Sequence, residues 1–238
     1  MKKKIIFTGG EGRFAKSFYG FNNKYNIKFL NSKELNILSE KSIKKNFIKY
    51  KPKVVIHNAG LSRPMISHEK DITESIKKNI IGTCNIVNQC FLKNIKLVYF
   101  STNYVYPGIK GNYSENDPVF PVNNYAWSKL GGEAAVKMYK NSLIVRLAIS
   151  EKPFVHDHAF SNVKSSFIYH DEAAKIIMKL LKFKGVINIG GKTQTIYNFA
   201  KKTNKKVKKI SYYKKNKISI PKNSSMSIKK LNKVLKND

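Results

Sequence analysis

Arginine is nearly absent from this 238-residue chain: of 46 basic residues only Arg13, Arg63 and Arg146 are arginines, and with 14 acidic residues the formal net charge is +32. Proteins that read nucleic acid use arginine in quantity, because its planar fork matches base edges and phosphates. A lysine excess that travels with asparagine and isoleucine points away from a sequence-specific nucleic-acid partner. Acidic residues vanish from Ala173 to Asn237. That stretch reads as a solvated basic face, or as a surface that attracts anions. Cysteine is scarce too. Cys84 and Cys90 lie in an apolar helical pattern, match no zinc spacing and form no disulfide framework, so they read as buried structural thiols. His156-Asp157-His158 lacks any nearby residue to complete a metal-ligand set. No apolar run approaches the length of a membrane span. The basic start, Met1 to Phe7, has no apolar h-region behind it, so it reads as a first strand and the protein as cytoplasmic.

What is present is an α/β alternation. Short apolar runs at Lys4–Thr8, Ile27–Leu30, Val54–His57, Leu97–Ser101 and Leu143–Arg146 alternate with helical patterns at Arg13–Tyr19, Ser42–Tyr50, Glu69–Lys93 and Tyr125–Tyr139. That order is the signature of βαβ units on a parallel sheet. The second helix stops before Pro52, because the residue before proline disfavours the helical region. Beyond Arg146 the pattern weakens. Ser150–Ser166 reads as loop, Asp171–Lys182 as an amphipathic helix, Val186–Ile189 and Val207–Tyr212 as strands, and Ile196–Lys202 and Ser227–Leu235 as helices. The length suits one α/β domain over residues 1–150, completed by a smaller region over 151–238.

Three places carry chemistry. Thr8-Gly9-Gly10-Glu11-Gly12-Arg13-Phe14-Ala15 follows the first strand directly. Glycines there allow a tight turn, let the backbone approach a pyrophosphate and aim a helix N-terminus at its charge. An ordinary strand-to-helix turn uses glycine as well. Tyr125 and Lys129 are four apart on one helix, hence on one face, where an ammonium favours the phenolate. So lysine-rich a chain also produces this spacing by chance. Ser101-Thr102-Asn103 and Asn58-Ala59-Gly60 each end a strand, at the carboxyl edge where open α/β sheets bind ligands.

Taken in order, these segments resemble the extended short-chain dehydrogenases/reductases. The likeness is strongest to the dTDP-4-dehydrorhamnose reductase-like branch, then to GDP-fucose synthase. It rests on the glycine turn, Glu34-Leu35-Asn36-Ile37, Val54 to Gly60, Asn79 to Thr83, Phe100 to Tyr106, Glu115 to Pro118, Pro121 to Leu130 and Ile144-Val145-Arg146. It spans residues 3 to about 150, with fainter echoes at Ser166 to Ala174, Val186 to Gly190 and Pro221 to Met226.

The resemblance implies a Rossmann-type doubly wound parallel sheet with a small, shortened C-terminal substrate-binding part. It makes Tyr125 the proton donor, Lys129 its electrostatic partner and ribose contact, and Thr102 the hydroxyl that orients a carbonyl, with Ser101 as substitute. Gly9, Gly10, Gly12, Arg13 and Phe14 would hold the pyrophosphate, Asn36 would lie near the adenine, and Asn58, Ala59 and Gly60 would leave room for the cofactor. Strand two ends in Leu30-Asn31-Ser32-Lys33 without an acid for a free ribose 2′-hydroxyl. Ser32, Lys33 and Arg13 suit a 2′-phosphate instead, so NADP is expected ahead of NAD. The implied activity is reduction of a nucleotide-linked 4-keto sugar. Epimerisation through the same residues, and a noncatalytic dinucleotide-binding regulatory or scaffold role, are the alternatives. A nucleotide-sugar partner follows, some of the C-terminal lysines would face its diphosphate, and a homodimer is compatible. One departure is conspicuous: the stretch between Arg146 and Phe167, which helps build the sugar-nucleotide pocket in these enzymes, is far shorter here.

Overall fold

Apolar residues alternate between the two faces of the first strand, and that alternation sets the layers. In the computed structural model, which describes residues 2–213 and 218–236, Ile5 and Phe7 of β1 (Lys4–Thr8) face one helical layer and Ile6 faces the other. The following strands are β2 (Asn26–Leu30), β3 (Val54–His57), β4 (Lys96–Thr102) and β5 (Ser142–Leu147). Short strands come next: β6 (Ile149–Ser150), β7 (His158–Phe160), β8 (Lys164–Ser165) and β9 (Ile168–Tyr169). The last three are β10 (Gly185–Ile189), β11 (Gln194–Thr195) and β12 (Lys208–Ile210). Six strands form one parallel sheet in the order β10-β5-β4-β3-β1-β2. Strands β3, β4 and β5 are buried along their whole length, as expected when helices cover both faces. The chain runs outward from β1 to β2, then crosses back to β3. The strand order therefore reverses between β1 and β3, where doubly wound sheets open a crevice at their carboxyl edge.

The helices are α1 (Arg13–Lys16), α2 (Glu40–Tyr50), α3 (Ile66–Lys70), α4 (Ile72–Ser75), α5 (Gly82–Leu92), α6 (Asn124–Lys137), α7 (His170–Lys179), α8 (Ile196–Lys201) and α9 (Lys229–Lys236). Phe14, Phe18, Ile177, Met178 and Leu231 cover one face of the sheet. Ile43, Phe47, Ile86, Val87, Cys90 and Val136 cover the other. Cys90 is buried as expected, whereas Cys84 is only half-buried.

Two helices depart from the sequence reading. The first runs for one turn, Arg13–Lys16, instead of reaching Tyr19, and gives way to a 3₁₀ turn over Tyr19–Asn23. Ser17, Gly20, Asn22 and Asn23 are weak helix formers, and nothing in the core compels them. The helix expected over Glu69–Lys93 is interrupted. The Asp71 carboxylate accepts the Thr73 N–H at 2.8 Å and starts a new helix, and a π-helical turn at Ile76–Ile81 precedes α5. That turn brings Asn79 to the loop after β3. Its Nδ2 donates to the Leu61 carbonyl and to Ser128 Oγ, each at 2.8 Å, while its Oδ1 accepts the Leu61 N–H at 2.7 Å.

The C-terminal region supplies the sixth strand of the sheet, β10, and packs α7 and α9 on its core. The stretch expected as loop, Ser150–Ser166, holds short strands that pair β6 with β9, β7 with β12 and β8 with β11. Phe154, Ala159, Val163, Ile196, Ala200, Val207 and Tyr212 give it a small core of its own. The acid-free segment falls partly outside the described residues, at 214–217 and 237.

Candidate active site

The glycine turn is fixed by bonds from β3. Thr8 Oγ1 accepts the Ala59 N–H at 3.1 Å and stands 2.8 Å from His57 Nδ1, while His57 Nε2 lies 3.1 Å from Thr83 Oγ1. Thr83 gives its own proton to the Asn79 carbonyl, so His57 donates through Nε2, and the neutral ring then accepts the Thr8 hydroxyl proton at Nδ1. This chain of bonds needs neutral imidazole. Burial, aided by the Lys129 charge, pulls His57 down to about 3, so it stays neutral at ordinary pH. Asn58 Nδ2 completes the brace by donating to the Gly9 carbonyl at 3.2 Å.

Gly9 takes a positive φ of 66°, and a Cβ there would stand 3.0 Å from the Ala59 backbone. Gly12 is exposed, and a Cβ on it would meet the Gly9 carbonyl at 3.1 Å. No side chain caps the first turn of α1. An exposed glycine cradle with an uncapped helix start beside a guanidinium fits a diphosphate. Gly10 does not belong to that surface. It is buried, its N–H donates to the Leu30 carbonyl at 2.9 Å, and a Cβ would press on the Phe29 backbone at 2.6 Å. Its smallness serves the approach of β2. Phe14 likewise places its side chain in the core, against Phe18, Phe100 and His170.

Arg13 is not brought to Ser32 and Lys33. Its Nη1 pairs with Glu151 Oε1 at 3.1 Å, in the segment after β6 and away from β2. Ser32 and Lys33 are exposed in the turn after β2, where Asn31 Oδ1 accepts the Lys33 and Glu34 N–H groups. The Asn31 amide donates to Glu11, and its N–H to Glu34. Asn36 is exposed, and its Oδ1 accepts the Leu38 N–H within the same connection. Gly60 is exposed, with a Cβ position only 2.6 Å from Asn79 Oδ1.

At the end of β4 the two hydroxyls part. Ser101 Oγ donates to Glu133 Oε2 at 2.7 Å inside the protein, so it is committed to structure and is no substitute for Thr102. Thr102 sits against the Tyr125 phenol at the start of α6. Burial pushes that phenol above its ordinary value, while the Thr102 hydroxyl and the Arg63 charge favour the ionised form. Lys129, one helical turn along, lies 4.3 Å over the Tyr99 ring. Burial pulls its ammonium down to about 7, against the opposing charge of Glu133. Lys129 is thus less fully charged than a free lysine, and the groups that favour the phenolate are Thr102 and Arg63. Tyr104, pushed up to about 12 by burial, and His68, whose ring centroid is 5.2 Å from that of Tyr125, complete the surroundings. Sequence reasoning missed Arg63, Tyr104 and Glu151. The only available signal was that a chain with three arginines spends two of them beside its glycine and strand-end motifs.

Sheet order, crevice and glycine turn define a Rossmann-type α/β protein with a Thr–Tyr–Lys constellation at the carboxyl edge. The chain matches the RmlD substrate binding domain family over residues 3–157, and it belongs to that family. It is 28% identical over 164 residues to the spore coat polysaccharide biosynthesis protein SpsK of Bacillus subtilis, covering 67% of this chain and 56% of that protein. It is 26% identical over 148 residues to a dTDP-4-dehydrorhamnose reductase of Aggregatibacter actinomycetemcomitans, covering 60% and 50%. Methionine adenosyltransferase 2 subunit beta of Xenopus laevis is 33% identical over 102 residues, covering 43% and 30%. The chain therefore spans about half the length of the first two relatives. In three dimensions it resembles the dTDP-4-dehydrorhamnose reductase of Bacillus anthracis in complex with NADP, with a TM-score of 0.87, 23% identity, and 98% of this chain and 93% of that one covered. The corresponding structure from Clostridium acetobutylicum gives a TM-score of 0.85, 22% identity, and coverage of 98% and 92%. These likenesses establish the fold. No helix among the described residues is long and apolar enough to cross a membrane.

Proposed function

We propose that the chain binds NADP(H) in the crevice between β1 and β3 and reduces a nucleotide-linked 4-keto sugar. The observation that carries this reading is the meeting of Thr102 and Tyr125 at the carboxyl edge of β4, beside the glycine turn. Gly9, Gly12 and the backbone of Arg13 and Phe14 would hold the diphosphate, and Lys129 the nicotinamide ribose. When bound, the dinucleotide supplies a hydride. Thr102 orients the substrate carbonyl, and Tyr125 gives its phenolic proton to the oxygen as negative charge develops there, so that ketone, hydride and proton together make the alcohol. A phenol is protonated at neutral pH, as a donor must be, and the Thr102 hydroxyl and Arg63 charge, which favour the phenolate, ease release of that proton against the effect of burial. The bound NADP of the Bacillus anthracis structure supports the choice of cofactor.

A second reading is a dinucleotide-binding subunit without turnover. The likeness to methionine adenosyltransferase 2 subunit beta supports it, as does the short connection after Arg146.

NADPH should bind more tightly than NADH in fluorescence titrations, because the exposed turn after β2 offers Ser32 and Lys33 to a 2′-phosphate. Equal or inverted affinities would remove the NADP preference, and Glu11 and Glu34 flanking Asn31 would be the reason. Binding of neither dinucleotide would overturn the reading itself.

A further inference from the structure

Two of the three arginines end on one carboxylate. Arg13 follows Gly12 directly, Arg63 lies in the loop after β3, and Glu151 follows β6. Nη1 of each arginine stands 3.1 Å from Glu151 Oε1, and Arg63 Nη2 adds a bond to Oε2 at 3.4 Å. Three loops at the carboxyl edge of the sheet are thereby tied to one another. The Glu151 side chain is 14% exposed, while those of Arg13 and Arg63 are 57% and 40% exposed.

Stability does not account for this arrangement, since ion pairs with one partner so exposed contribute little. A chain that uses lysine almost everywhere has placed arginine at both points. Only the guanidinium presents a rigid fork that grips carboxylate and phosphate in the same bidentate way. Helix α1 is a single turn, so few peptide dipoles align behind Gly12, and side-chain charge has to add to what the backbone offers a phosphate. The cluster is also graded in charge. His156 and His170, both held down by burial and by the two arginines, stand near it with Asp157 and Asp171. With the histidines neutral, Arg13, Arg63 and Glu151 together carry one positive charge, which becomes two when Glu151 leaves.

We infer that Arg13 and Arg63 form a clamp for a diphosphate, and that Glu151 holds their donors until a diphosphate-bearing ligand displaces it. The inference rests on the reading of the glycine turn as a dinucleotide site. Arg13 adjoins that turn, and the Arg63 charge is felt at the Tyr104 and Tyr125 phenols. Two diphosphates therefore present the right chemistry, that of the dinucleotide and that of a nucleotide sugar.

The test is titration of NADPH and, separately, UDP into the wild-type chain and into Glu151→Gln, Arg63→Gln and Asp157→Asn, at constant salt, with melting temperatures recorded. Glu151→Gln should tighten the clamped ligand by about three- to ten-fold, the scale of one released charge pair. Arg63→Gln should weaken the same ligand by a similar factor. Asp157→Asn, which removes a nearby charge without freeing either arginine, should change affinity less than two-fold. A response to NADPH assigns the clamp to the dinucleotide, and a response to UDP to the nucleotide sugar. Weaker binding by a folded Glu151→Gln protein would overturn the inference, as would affinities within two-fold of wild type for both Glu151→Gln and Arg63→Gln. Should Glu151→Gln fail to fold, Arg63→Gln decides alone. Tight NADPH binding, with neither NADPH nor UDP responding to these changes, sinks the clamp and spares the dinucleotide reading. UDP binding that responds to them, with no NADPH binding, spares the clamp and sinks that reading.

Discussion

Tyr125→Phe should lower turnover of a nucleotide-linked 4-keto sugar by about 10²- to 10⁴-fold, the usual worth of a positioned proton donor. Cofactor affinity should stay within about two-fold of wild type, since one hydroxyl takes little binding surface with it. The ring itself packs against His68 and begins a helix whose N-cap, Asn123, accepts the Ala126 N–H, so the substitution leaves the scaffold intact. Thr102→Val should also lower turnover, but less, because it removes orientation and leaves the proton. Steady-state kinetics of NADPH oxidation, with cofactor binding measured separately, read this pattern. A Tyr125→Phe protein with most of its activity would remove Tyr125 from the chemistry.

Glu133→Ala should cost about 3–5 kcal/mol of stability, the usual penalty for stripping one partner from a buried ion pair. Glu133 and Arg146 are 2% and 5% exposed. Arg146 donates to the Glu133 carboxylate through Nε and Nη2, and to the Tyr106 hydroxyl through Nη1. Ser101 donates to the same carboxylate, so one deletion leaves a buried guanidinium without its counter-charge and a hydroxyl without its acceptor. Domains are stable by only about 5–15 kcal/mol, so the loss is a large share of the total. Urea denaturation monitored by circular dichroism measures it. The exposed pair Glu40–Lys44 is the contrast, and Lys44→Ala should cost no more than about 0.5 kcal/mol. A Glu133→Ala loss below about 1 kcal/mol would mean that Arg146 finds another acceptor.

The sheet and its motifs were legible because they are local. Alternation along β1, full burial of β3 to β5, and the four-residue step from Tyr125 to Lys129 are all written in runs shorter than a dozen residues. The meeting of Thr102 with Tyr125 followed from strand-end and helix-start positions. What escaped depends on register and distance. Gly10 looked like part of a phosphate cradle until the pairing of Thr8 with Leu30 set it against Phe29. Ser101 and Thr102 are indistinguishable as neighbours in sequence. Strand alternation sends one to Glu133 and the other to Tyr125. Arg63 and Glu151 are 88 residues apart, and no periodicity links them. The truncated first helix is a case of local propensity prevailing over the strand–helix alternation, since Ser17, Gly20 and the asparagines are weak helix formers.

The RmlD substrate binding domain match ends at residue 157, close to where the chain becomes unusual. The connection after Arg146 folds into small strand pairs around Phe154, Val163 and Tyr212 and so has its own core. The site constellation lies on β4 and α6, outside that connection. The proposed Thr102–Tyr125–Lys129 machinery therefore takes its placement from the sheet and α6, not from that connection.

The central claim is that this machinery turns over, and one assay meets it directly. The full chain is mixed with NADPH and a dTDP- or UDP-linked 4-keto-6-deoxysugar, and absorbance at 340 nm is followed. The account predicts NADPH oxidation that depends on the sugar nucleotide and yields one alcohol per NADPH consumed. NADPH that binds but is not oxidised with either sugar nucleotide, under conditions where a known reductase of this class is active, would contradict it and favour the noncatalytic subunit.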